Sequence, residues 1–197
     1  MPPMWRDLRT KTQAHNCSNE QIQLHRSHQP RHTQTTQPQT QQRMNIFVLH
    51  KKPALAAKYH CDRHVGKMIL ESAQMLSTVL GGPYKPTHAN HPCTLWVAES
   101  QANAEWLATL AWHLNNEWRA RYDHNHNHKS WEVIRSMEDN IGKLPSKRRT
   151  PFVQAMPEEF KQPDPVEAYR TYYHSKPFAK WRYTSEPYWW SPKPTAG

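Results

Sequence analysis

An all-α chain is what the sequence predicts: a compact single helical domain over residues 44–197, entered by a buried extended N-terminal segment and preceded by a disordered N-terminal tail over 1–43. Three observations predict it. Residues 1–43 are rich in Gln, Thr, His and Pro, as in HRSHQPRHTQTTQPQTQQR, with almost nothing to bury, and the composition changes abruptly at Met44. Beyond that point apolar residues recur at helical spacing. Strand alternation is missing apart from one short apolar run, and there is no internal repeat.

The elements follow in order. Ile46-Phe47-Val48-Leu49 is apolar enough to bury itself. Pro53 then opens a helix, since proline's missing N–H costs nothing in a first turn. This first helix runs from about 53 to 80 and stops at Gly81-Gly82-Pro83. A loop, YKPTHANHPCTLW, precedes a second helical pattern from about Trp96 to Tyr122, with Trp106, Leu110, Leu114 and Trp118 in register. DHNHNHKS is a polar turn. Residues 130 to 141 form a short amphipathic helix, and a Pro-rich connection leads to one further helix and an aromatic, basic C-terminal segment.

The 197 residues allow one domain with a real core. Their balance is basic, 26 Lys and Arg against 16 Asp and Glu, and a net charge of +10 points to a polyanionic partner. The tail carries six basic and two acidic residues, so the domain stays basic without it. The tail itself has two open readings: an extension ahead of an internal start at Met44, or a basic arm for the polyanion. No apolar run approaches the roughly 20 residues of a membrane span, so no membrane partner is expected. No signal-peptide core is visible, and three cysteines form no even framework, which suits a cytoplasmic protein. Nine tryptophans are either core or, with the basic charge, surfaces for unstacked bases.

Candidate chemistry concentrates on the first helix. At 100° per residue, His60, His64, Lys67 and Glu71 fall within roughly a 60° arc, opposite Val65, Ile69, Ala73, Leu76 and Leu80. Asp62 lies on the apolar side. It is either a buried salt-bridge partner or a carboxylate with a tuned pKa, and Glu71 competes for that second role. A second constellation, Lys85, His88, Asn90, His91 and Trp96, either meets a ligand from the loop or caps the next helix. A third holds Arg119, Arg121, Tyr122 and the histidines 124, 126 and 128, a wet turn or a phosphate contact. Arg170, Tyr173, Lys180 and Trp181 in the C-terminal part are further candidate substrate contacts. His60 and His64 have the i, i+4 spacing of two metal ligands, with His88, His91 and Cys93 as completing donors, but no HExxH or CxxC accompanies them. No cofactor is expected: neither a Walker loop nor a dinucleotide fingerprint is present, and there are only five glycines.

MNIFVLHKKPALAA, the Glu-bearing first helix, the NHPCTLW loop, and a second helix closing on RARYDHNH resemble pyrimidine-dimer DNA glycosylases of the endonuclease V type in order and spacing. The FAKWRYTSEPYWW end is similar to their aromatic C-terminus. The likeness spans about Met44 to Trp190. The strings HCDRHVGKM and RTPFVQAMP also resemble uncharacterised phage-type proteins, with no activity attached. The resemblance implies an all-helical fold whose N-terminal segment threads toward the site, and an enzyme that exposes and excises a base. In that family a free N-terminal amine attacks the sugar C1′, a helix glutamate assists, and a Schiff base leads to strand cleavage. This sequence departs there, because 43 residues precede Met44 and Glu71 sits further along the chain than the family's glutamate.

The expectation is therefore a monofunctional glycosylase that uses water and a carboxylate, with Asp62, Glu71, His64 and Lys67 as catalytic candidates. It would act on DNA carrying a damaged or modified pyrimidine, a sugar-bearing base included, in a phage defence or counter-defence setting, with no obligate protein partner. The alternatives are a non-enzymatic nucleic-acid-binding protein and a zinc-dependent enzyme acting on nucleotides.

Overall fold

The computed structural model describes residues 44–191. Among them are seven α-helices, one 3-10 turn and no strand. The elements are α1 (Pro53–Tyr59), α2 (Asp62–Leu80), α3 (Pro92–Glu99), α4 (Gln101–Tyr122), α5 (Lys129–Ser136), α6 (Glu138–Ile141), the turn Glu158–Phe160, and α7 (Pro165–His174). The tail over 1–43 lies outside the described residues. No helix among them is long and apolar enough to cross a membrane.

Two predicted helices are each divided. The first breaks at His60-Cys61, where ψ turns to 136° and 160°. Tertiary partners hold that break open. Arg121, reaching across from α4, donates to the carbonyls of Lys58 and His60 at 2.9 and 2.8 Å. Those carbonyls sit where a helix end leaves acceptors unpaired, and a cation suits that end's partial negative charge. The Tyr173 hydroxyl of α7 accepts the Cys61 amide at 3.0 Å. The second predicted helix breaks at Ser100, a buried N-cap whose hydroxyl accepts the Asn103 amide at 3.1 Å. The short helix over 130–141 becomes α5 and α6, separated by Met137.

Helix α4 packs against both α1 and α2 at the centre of the molecule. Residues Met44–Leu49 enter this core without regular structure, each of them buried. Their backbone polar groups need partners from elsewhere. The Asn45 side chain supplies several: Oδ1 accepts the Ile46 and Phe47 amides at 2.8 and 3.3 Å, and Nδ2 donates to the Ala155 carbonyl at 2.7 Å. Arg170 Nε donates to the Leu49 carbonyl at 3.1 Å. Phe47 takes a left-handed backbone, φ +48°, which strains an L residue. Its ring is held by His64 at 4.7 Å, Tyr172 at 5.9 Å and Tyr173 at 5.4 Å.

Candidate active site

The extended segment delivers one backbone group to α2. The Asn45 amide donates to Glu71 Oε2 at 2.8 Å, and Lys67, one turn earlier, places Nζ 3.2 Å from Oε1. Glu71 is buried, and that burial raises its carboxyl above the ordinary range against the opposing pull of the Asn45 amide, Lys67 and His88. A carboxylate raised in this way, with one amide donor and one cation beside it, is a stronger base than a free one.

The loop after α2 lies along the same face. Thr87 is tied to α2 through Thr78, whose hydroxyl accepts the Thr87 amide at 3.1 Å. His88 follows with φ +50°, its Nδ1 2.7 Å from Thr87 Oγ1. A left-handed histidine facing a buried glutamate is strain held in place by its surroundings, as functional sites often show. Beside Glu71, Leu70 and Gln74 of α2 and Tyr84, Lys85, Pro86 and Thr87 of the loop line an open groove of about 440 Å³.

Of the predicted residues, the fold brings Lys67 and His88 to Glu71 and places Lys85 on the adjoining groove. Asn90 is exposed on the adjoining turn. His91 caps α3, its Nδ1 accepting the Cys93 amide at 3.2 Å. Trp96 is core, with Nε1 donating to the Pro151 carbonyl at 2.9 Å.

Asp62 is elsewhere. It begins α2, nine residues and about 13 Å along the axis from Glu71. Its Oδ1 pairs with Arg121 at 3.2 Å and its Oδ2 accepts the Arg182 amide at 2.6 Å. The two carboxylates therefore cannot serve one reacting atom. His60 and His64 also stay apart from Glu71. His60 sits beyond the helix break, donating Nδ1–H to the Ala56 carbonyl at 2.7 Å. His64 shares a helix with Lys67 and Glu71, but Phe47, Tyr173 and Phe178 cover that end of the face. Burial depresses both imidazoles, His60 to about 4 and His64 to about 2.

Arg121 and Arg170 are buried and bonded to carbonyls and carboxylates, Tyr173 is fully buried, and Trp181 donates to the Tyr59 carbonyl at 3.2 Å. Arg119 and Lys180 are exposed and Tyr122 is half-buried. Among the described residues no group of three or more His, Cys, Asp or Glu is placed to hold a metal ion. Asn45, Gln74 and Thr87 were not predicted. Beside its local bonds to the Ile46 and Phe47 amides, the Asn45 contacts that matter for the site lie 26 and 110 residues away, beyond what local sequence signals.

The family model for pyrimidine dimer DNA glycosylase matches residues 44–130. That stretch begins one residue before Asn45 and contains Lys67, Glu71 and the loop that faces them. Residues 44–130 belong to the pyrimidine dimer DNA glycosylase superfamily. The glycosylase match ends at Ser130, so α7 and the aromatic C-terminal segment that cover the other side of residues 44–49 lie outside it. Neither curated proteins nor solved structures give a match to the chain.

Proposed function

We propose that the chain is a DNA glycosylase that excises a damaged or modified pyrimidine and leaves an abasic site, with Glu71 as the catalytic carboxylate. The observation that carries this reading is the Asn45 amide on Glu71, inside the matched stretch and beside an open groove. The net charge of +10 suits a DNA substrate.

The reaction proceeds by hydrolysis. As the C1′–N bond breaks, positive charge develops on the sugar and the Glu71 carboxylate opposes it. Water attacks C1′, its proton passes to Glu71, and the departing base takes a proton from Lys67 or His88. A positioned base of this kind contributes about 10²–10⁴-fold. The Asn45 nitrogen is a peptide amide in this chain and is not a nucleophile. The proposed substrate range includes hypermodified pyrimidines.

One observation favours a second reading. Cleavage before Asn45 would leave its new amine beside the Glu71 carboxylate, in the arrangement the family uses for a Schiff base. Assays on ultraviolet-treated, uracil-containing and phage-modified DNA, scored by alkali cleavage, separate the cases. Glu71→Gln is expected to lower kcat by about 10²–10⁴ with DNA affinity kept, and borohydride is expected to trap no adduct on the full chain. Absence of abasic sites on every DNA defeats the proposal. A trapped adduct that vanishes in Lys67→Ala makes Lys67 the nucleophile, and one seen only when the chain starts at Asn45 establishes the second reading.

A further inference from the structure

The solvent-facing strip of α2 continues beyond the Glu71 site. Arg63, Gly66, Lys67, Leu70 and Gln74 are exposed or half-buried, and at 100° per residue they share one side of the helix. Toward its C-terminal end the strip borders the groove of Leu70 and Gln74. Toward its N-terminal end it opens into a second cavity of about 270 Å³, lined by Asp62, Arg63, Gly66, Trp118, Tyr122 and His124.

Three of these six residues are aromatic and one is a cation. His124 stacks on Trp118 at 3.8 Å and 29°, and the exposed Tyr183 meets Tyr122 at 5.2 Å. Gly66 lets the indole come close, since a Cβ there would stand 3.3 Å from Trp118 Cδ1. Asp62 does not make the cavity repel an anion, because Arg121 and the Arg182 amide already hold its two oxygens. Arg119 is exposed one turn before Tyr122. Aromatic faces interleaved with cations are what an unstacked nucleotide requires.

We infer that this cavity holds one unstacked nucleobase of the DNA strand whose lesion lies at Glu71, with Arg63 and Arg119 on the flanking phosphates. The inference rests on the glycosylase reading. Its register follows from α2. The helix residues lining the two cavities lie about eight positions apart, or about 12 Å, which spans three to four nucleotides at about 3.4 Å each. The held base is therefore the third or fourth from the lesion.

Photocrosslinking tests this on the full chain. A duplex carries a tetrahydrofuran abasic-site analogue, with 5-iodouracil placed singly at positions one to six on either side. Crosslinks to Trp118, Tyr122 or His124 are expected from the third or fourth position on one side. Trp118→Ala and the loop variant His124→Ala are each expected to weaken binding about tenfold, raising KM while leaving kcat. A chain that binds and excises but never crosslinks through these residues overturns the inference, as does crosslinking that is equal from every position. A chain that neither binds nor excises any DNA defeats the glycosylase reading itself.

Discussion

Acid should unfold this protein through two buried histidines. His60 and His64 are neutral in the core, held down to about 4 and about 2, chiefly by burial. In the unfolded chain both return to about 6.5. A depressed imidazole favours the folded state fully above the unfolded pKa, and that advantage is lost as pH falls toward the folded value. At pH 5 the unfolded side chains are almost fully protonated and the folded ones are not. Each site then loses about 2 kcal/mol relative to pH 7, at about 1.4 kcal/mol per pH unit below 6.5. The pair accounts for about 4 kcal/mol, a large part of a domain's usual 5–15 kcal/mol. His113 and His128, also lowered mainly by burial, act in the same direction. Urea melts at pH 7, 6 and 5 measure the slope. His64→Gln has no proton to gain in this range and should lose about 2 kcal/mol less between pH 7 and 5. An equal loss in parent and variant would refute the reasoning. Because Phe47 packs on His64 and belongs to the segment that carries Asn45, excision should fall over the same range.

The remaining predictions concern the break and the segment. Arg121, its side chain 2% exposed, satisfies two carbonyls and pairs with Asp62 and Glu117, so Arg121→Ala should cost about 3–5 kcal/mol. For a domain of this size that lowers Tm by roughly 10 °C. Arg121→Lys should not rescue it, because a single ammonium lacks the planar fork that reaches these acceptors; a calorimetric scan decides. Asn45→Ala removes the acceptor that orients the segment and loosens the amide on Glu71, one of the contacts opposing that carboxyl's rise. Its pH–rate profile should show the acidic limb moved to higher pH, and an unmoved limb would count against Glu71 as the base.

The face that carries Lys67 and Glu71 was legible in the sequence because the helical period holds within α2. The loop of Lys85 and His88 was legible as polar residues bounded by Gly-Gly-Pro and by Pro92. The continuous helix over 53–80 was not borne out, since the break depends on Arg121 and Tyr173, which lie 61 and 112 residues from the groups they bind. No local propensity encodes such partners. The inward direction of His64 was hidden for the same reason, because Tyr173 and Phe178 come from the C-terminal part of the chain. Trp96 and Tyr173 show the converse: residue types that serve a nucleic-acid surface also serve a core, and only tertiary packing decides which.

The break also explains why chain distance misleads at the site. Twenty-six residues separate Asn45 from Glu71, more than the resemblance requires, which argues from sequence against their meeting. A single straight helix from 53 to 80 would run about 42 Å and carry its two ends apart. With α1 ended at Tyr59 and α2 started afresh at Asp62, the residues between become a closed excursion, and residues 44–49 are left to run against α2. Arg121 and Asp62 fasten that corner, the Asn45 side chain fixes the segment's depth, and Glu71 receives its amide at the end. Asp62 thus supports the site through the fold while Glu71 lies buried between the Asn45 amide and Lys67, and the two carboxylates that compete on a helical wheel take separate tasks once the helix is broken.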